Sequence, residues 1–87
     1  MKKVIECDEL EGLEALLNEE VILLCANYFY SGKLIGVNEK FVKLSGARLV
    51  YETGPWTDGK PYADAQPLPK GTWYVQTAFI ESYGASK

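Results

Sequence analysis

The sequence predicts a mainly-β protein, in which a short N-terminal α-helix precedes a five-stranded, strongly bent antiparallel barrel. Three observations lead to this fold class. The chain has 87 residues, which is the usual length of one domain, so residues 1–87 are predicted to form a single unit. Short apolar runs separated by tight turn signals follow residue 20. Hydrophobic residues make up 47% of the chain and aromatic residues 13%, a composition that disfavours disorder.

A helix is predicted from about Glu9 to Leu17, that is, over residues 9–17. Asp8 and Glu11 have the spacing of a capping box, and leucines recur behind them at helical spacing. Gly12 weakens this helix, because glycine has low helix propensity. Asn18 is predicted to end it.

Two strands are predicted to follow this helix. An extended run from Val21 to Tyr30 is apolar on both faces, so both faces must be covered. One face would fill the barrel, and the other would meet the helix or another subunit. A turn is predicted at Ser31-Gly32, and a second strand at Lys33–Val37. Asn38–Lys40 is predicted to be a tight polar turn.

The second half of the chain predicts three more strands and one long loop. The third strand runs from Phe41 to Glu52, with a bulge or sharp bend at Ser45-Gly46. A variable loop at about 53–70 contains all four prolines. The fourth strand is predicted at Thr72–Gln76 and the fifth at Ala78–Ser82.

The composition argues against an enzyme. The chain contains no histidine, which removes the usual general base and the commonest metal ligand. Cys7 and Cys25 are predicted to be free thiols, and no carboxylate pair or glycine-rich phosphate motif is present. We therefore predict no catalytic residue, no metal and no cofactor. Without a signal peptide or a long apolar run, the protein is predicted to be cytoplasmic and away from membranes.

Charge is distributed unevenly along the chain. The first twenty residues contain seven acids and two lysines, whereas the remainder contains seven bases and five acids. This pattern has two interpretations. It is either a solvated acidic helix on a near-neutral body, or a polarised ring with one acidic face and one weakly basic face.

The segment from Phe29 to Val42 resembles the first motif of the Sm-like small β-barrel family, an SH3-like fold. Four residues match that motif in type: Gly32, Leu34, Val37 and Phe41. Asn38 stands where the family usually has Asp. Val42 departs from the pattern, because the family has there an Asn that contacts the RNA base. The uridine-binding pocket of the family is therefore incomplete in this chain.

The segment Lys70–Val75 resembles the second motif of the same family. It has a basic residue, a glycine, a small polar residue and then apolar strand residues. The segment 47–51, together with Trp56, also resembles small phage proteins, which suggests a phage or prophage origin.

The resemblance implies a non-catalytic homo-oligomeric ring that binds single-stranded RNA, or another nucleic acid, at its pore. In that family, the fourth strand of one subunit pairs with the fifth strand of the next. The candidate nucleic-acid-binding residues are Asn38, Lys40, Phe41, Lys70, Gly71 and Thr72. Each has a simpler interpretation: Asn38 as a turn former, the lysines as surface residues and Phe41 as core.

A second function remains open from the sequence alone. The chain is then a phage-type protein-interaction or assembly module that uses the small barrel and its aromatic loop, without binding nucleic acid. Trp56 and Tyr62 would form the docking patch. Alternatively, these two residues anchor the loop on its own barrel.

Overall fold

The computed structural model describes residues 12–57, 59–69 and 71–86, and it confirms a mainly-β fold. Six antiparallel strands form one sheet. They are β1 (Glu20–Cys25), β2 (Phe29–Val37), β3 (Phe41–Glu52), β4 (Asp64–Pro67), β5 (Thr72–Gln76) and β6 (Ile80–Ala85). Two short 3-10 helices accompany them, at Gly12–Leu16 and Thr77–Phe79. None of the helices in the described ranges has the length and apolarity needed to cross a membrane.

The strand order is β4-β3-β2-β1-β6, and β5 pairs with β3 beside β4. The long strand β3 serves both neighbours: its first half pairs with β5 and its second half with β4. Within residues 12–86 as described, β5 has only β3 as a partner and β6 has only β1. The sheet found here is therefore open between β5 and β6, and it has six strands where five were predicted in a barrel.

The predicted N-terminal α-helix is wrong for the part that the structure describes. Residues 9–11 lie outside the described ranges, and Gly12–Leu16 form a 3-10 helix. Gly12 has a φ of 71°, which is incompatible with continuous right-handed α-helix through this position. Leu13 and Leu16 do pack on the core, and Asn18, with a φ of 70°, ends the helical segment as predicted.

The first turn lies earlier than predicted. β1 ends at Cys25, and residues 26–28 connect it to β2, with the Cys25 amide donating to the Tyr28 carbonyl at 3.1 Å. Ser31 and Gly32 lie inside β2 and are buried, so they are not a turn. The run from Val21 to Tyr30 misled the prediction because it contains no glycine or proline to mark the break.

The third strand and its bulge are confirmed. β3 spans Phe41–Glu52 without interruption. The register with β2 slips between Ser31 and Lys33, which pair with Arg48 and Ser45 respectively. Two β3 residues thus lie opposite Gly32, and Gly46 among them has a φ of 62°. This arrangement is a bulge that sharpens the bend of the strand.

The long loop is shorter than predicted, because residues 64–67 form β4 on the second half of β3. Pro67 closes that strand at the sheet edge, where a missing backbone donor is tolerated. The predicted fourth strand is β5 and is confirmed at Thr72–Gln76. The predicted fifth strand begins two residues late, because Thr77–Phe79 form a 3-10 helix before β6.

Two apolar clusters lie on opposite faces of the sheet. The larger cluster contains Val21, Leu23, Cys25, Leu34, Val42, Leu44, Ala47 and Val75. The smaller one contains Ile22, Val50 and Tyr62. Since Val21 and Ile22 are consecutive in β1, this strand is apolar on both faces, as predicted.

The second face is covered by the chain's own loop. Tyr62 is buried against Ile22 and Val50, and its hydroxyl lies 2.6 Å from Oγ of Ser86. The loop thus covers Ile22 and Val50 on the face that was predicted to meet the helix or another subunit. The simpler interpretation of Tyr62, as an anchor for the loop, is confirmed. Trp56 packs edge-on against Tyr62 at 6.3 Å between ring centroids, yet remains half exposed.

Candidate nucleic-acid interface

Asn38 holds together the turn between β2 and β3. Its Oδ1 accepts hydrogen bonds from the backbone amides of Lys40, at 2.7 Å, and Phe41, at 2.9 Å. This side-chain mimic of a backbone turn is a common use of asparagine. The oxygen of the carboxamide is thus already engaged, so Asn38 serves first as the turn former.

The same turn is tied to the end of β5. The Thr77 amide donates to the Lys40 carbonyl at 2.9 Å, and Oγ1 of Thr77 donates to the Glu39 carbonyl at 2.7 Å. A shallow cavity lies here, lined by Glu39, Lys40, Phe41, Gln76, Thr77 and Ala78. Lys40 is exposed and Phe41 half-buried, so both reach this surface.

The structure does not gather the six candidate residues into one place. Phe41 pairs with Gln76, whereas Thr72 pairs with Ser45, four residues further along β3. At about 3.4 Å per residue, roughly 14 Å of strand separate the two groups. Gly71 and Thr72 are exposed at that far end. Lys70 lies outside the described residues.

Val42, the residue at which the chain departs from the motif that it resembles, belongs to the core. The side chain has no exposed surface and sits in the larger apolar cluster. A buried valine cannot touch a base. Any nucleic-acid contact on β3 must come from the alternate positions, whose side chains point to the other face.

Two of those alternate positions, Phe41 and Lys43, form a surface together with Tyr74 of β5, which pairs with Lys43. We call this surface the aromatic face, and Lys40 lies at its margin. Tyr74 is 53% exposed. The Phe41 ring meets it edge-on, with centroids 5.0 Å apart. Nζ of Lys43 lies 5.8 Å from the Tyr74 centroid, within the range of a cation–π contact.

Sequence reasoning missed Tyr74 and Lys43. A signal was present, because Thr72, Tyr74 and Gln76 alternate along β5 with the half-buried Trp73 and buried Val75. An aromatic ring on the outward set of an alternating strand has no core to fill. Its partner, Lys43, lies directly opposite in the register of β3 and β5, which the sequence alone does not give.

A groove opens beside the aromatic face, along the outer side of β5. We call it the seam groove. It has a volume of 290 Å³ and is lined by Cys25, Ala26, Asn27, Tyr28, Tyr30, Tyr74, Val75, Gln76 and Phe79. Tyr28 and Phe79 are 50% and 62% exposed, so the rim of the groove is aromatic.

Burial affects two titratable groups of the seam groove, Cys25 and Tyr30. Burial raises the pKa of the Cys25 thiol. The pKa of Tyr30 is also raised, first by burial and then by the proximity of Cys25 and Tyr28. A thiol with a raised pKa is a poor nucleophile, so the groove offers stacking surfaces and amides.

The described part of the chain contains no cluster of three or more potential metal ligands. No protein-family model, curated protein or solved structure matches the chain.

Proposed function

We propose that this protein is a non-catalytic module that binds single-stranded nucleic acid, RNA in the first instance, on the aromatic face. The observation that carries the proposal is the exposed Tyr74 ring flanked by Phe41 and Lys43. Proteins that bind single strands combine aromatic stacking platforms with cations along the backbone path. Every nucleobase has a π-face, so this arrangement needs no particular sequence.

The seam groove extends the surface available to a strand. A base stacked on Tyr74 leaves its neighbour close to Phe79 and Tyr28 at the groove rim. Lys43 and Lys40 supply the positive charges for the phosphates. The stacking base takes the place of the Lys43 ammonium over the ring, and the ammonium turns to a phosphate.

We further propose that the module works as a homo-oligomer. The outer edges of β5 and β6 have no partner strand among the described residues, and unpaired edges favour pairing with another chain. The resemblance to Sm-like proteins implies the same two strands, joined between subunits in a closed ring. Such a ring brings together the two lysines of every subunit, which concentrates positive charge locally although each chain has a net charge of −3.

The direct test is fluorescence anisotropy with a labelled oligo-uridine at low salt. Tyr74→Ala is expected to weaken binding about tenfold or more, because stacking contributes about 1–3 kcal/mol per base. Lys43→Gln is expected to weaken binding and to flatten its dependence on salt. With about two phosphate contacts per subunit, the slope of log affinity against log salt is about −1.4.

Tyr51→Ala is the matched control, since Tyr51 is 52% exposed but lies on the part of β3 that pairs with β4. It should bind as the wild type does. Wild-type protein that ignores the oligonucleotide at low salt, or equal losses from Tyr51→Ala and Tyr74→Ala, would contradict the proposal.

A protein-interaction module is the second candidate, and one observation favours it. The described residues that line the seam groove include no Asp, Glu, Lys or Arg, which suits an uncharged peptide better than a polyanion. Peptide display against the whole chain tests this candidate. Sequences whose binding requires Phe79 and Tyr28, together with no oligonucleotide binding, would favour it over the first.

A further inference from the structure

A second cavity lies away from the aromatic face, between the sheet and segment 59–62 of the long loop. We call it the loop cavity. Its volume is 240 Å³. Tyr62 and Ser86 border it, and their hydroxyl oxygens lie 2.6 Å apart. This bond joins the loop to the end of the chain's last strand, so one wall of the cavity is fixed.

Ser31 is the buried polar residue of this cavity. It is only 4% exposed and lines the cavity wall. Its hydroxyl makes no hydrogen bond to another described residue. Every fully enclosed side-chain oxygen or nitrogen in the described ranges has a partner, so the Ser31 hydroxyl is not fully enclosed. The hydroxyl therefore opens into the loop cavity, where a ligand or water must satisfy it.

Arg48 lies directly opposite Ser31 in the register of β2 and β3. Side chains paired in this way share a face, with Cβ atoms about 5 Å apart. The Arg48 side chain is half-buried and lines the same cavity. It forms no ion pair with the described residues, although a guanidinium carries five donors.

The charges around the cavity favour an anion. The lining contains two bases, Arg48 and Lys60, and one acid, Glu20, and the Arg48 guanidinium is the group that favours an anion. A planar guanidinium binds the two oxygens of a carboxylate or phosphate in a forked geometry. A neighbouring hydroxyl adds a third donor to the same group.

We propose that the loop cavity is an oxyanion-binding site, in which Arg48 and Ser31 together hold a phosphate or carboxylate group. The oxyanion is either a free small molecule or the terminal phosphate of a nucleic-acid strand. The site is separate from the aromatic face and does not depend on the function proposed for that face.

The test is an amide NMR titration of the whole chain with inorganic phosphate at constant ionic strength. Saturable shifts at Ser31 and Arg48 are expected. Arg48→Gln is expected to weaken phosphate binding at least tenfold, and Ser31→Ala about tenfold, as charged hydrogen bonds are lost. Arg48→Lys keeps the charge but loses the fork, and should also weaken binding. The amide spectrum of each variant shows whether it is folded.

Lys33→Gln is the control for nearby charge. Lys33 is exposed on the same strand and lies opposite Glu20 in the register, but it does not itself line the cavity. Because this variant removes a nearby positive charge and no donor of the site, it should bind phosphate within about threefold of wild type. Parallel titrations with acetate, and with UpU with and without a 5′-phosphate, separate a free anion from a strand end. Shifts that do not saturate, or wild-type affinity in both Arg48 variants, would overturn the proposal.

Discussion

The Asn38 side chain accepts two hydrogen bonds from its own turn, and this accounts for the residue without any ligand. Motif resemblance had made it a candidate for nucleic-acid contact. The position is still next to the aromatic face through Phe41, whose amide is one of the two donors. Its effect on binding should therefore be indirect, through the shape of the turn.

Asn38→Ala is expected to lower the free energy of unfolding by about 1 kcal/mol, since two exposed backbone donors lose their acceptor. Asn38→Asp keeps an oxygen in the same place and should stay close to wild type. Urea denaturation followed by circular dichroism measures both. Equal stability of the alanine and aspartate variants would show that the two hydrogen bonds do not matter for folding.

At the same scale, Val42 shows why a resemblance between sequence segments is not enough to assign a contact residue. The resemblance placed a base contact at this position, but the Val42 side chain belongs to the core. The neighbouring outward positions are Phe41 and Lys43, whose aromatic ring and ammonium group are suited to contact a nucleic-acid strand. Exposure alternates from one residue to the next, so a shift of one position exchanges core for surface.

Among the elements, β3 shapes the whole sheet. One of its edges pairs with β2, and the opposite edge is shared by β5 and β4. The bulge at Gly46 lies between the two pairing regions of β3. Pairing with β5 extends to Ser45 of β3, and pairing with β4 begins at Arg48 of β3. Gly46 needs its φ of 62°, and a Cβ added there would meet nothing within 4 Å. The constraint on this residue is therefore conformational and not steric.

Gly46→Ala is expected to destabilise the protein by about 1 kcal/mol, because a left-handed backbone costs about that much for a residue with a Cβ. Gly46→Asn should cost less, since asparagine tolerates this conformation. Thermal unfolding of the two variants measures the difference. An alanine variant as stable as the wild type would mean that the bulge relaxes at no cost.

The sequence was sufficient for β3 and β5, whose alternating patterns and flanking turn signals are strong. It was insufficient for the turn at residues 26–28, because Asn27 is a single turn-forming residue between two apolar runs, with no glycine or proline beside it. β4 was missed because prolines surround it, although an edge strand tolerates proline at its end. The aromatic face was missed for a related reason, since the pairing of Tyr74 with Lys43 requires the strand register.

For the molecule as a whole, the decisive feature is an open sheet with an available edge on each of its last two strands. The Thr77 amide donates to the Lys40 carbonyl, so backbone amides alternate along β5 and that of Gln76 points away from β3. By the same alternation from Ser86, which donates to Glu20, the Tyr83 amide points away from β1. These outward groups are what a neighbouring copy would pair with.

Gln76→Pro tests this assembly with little damage to the subunit. Gln76 has a φ of −71°, which proline adopts without strain, and its outward amide has no part in the pairing with β3. The variant is expected to fold, yet to have a lower oligomeric mass than wild type by light scattering. Gln76→Ala keeps the amide and should assemble normally. A proline variant with the wild-type mass, or a wild type that is monomeric at micromolar concentration, would mean that the edge of β5 does not join subunits.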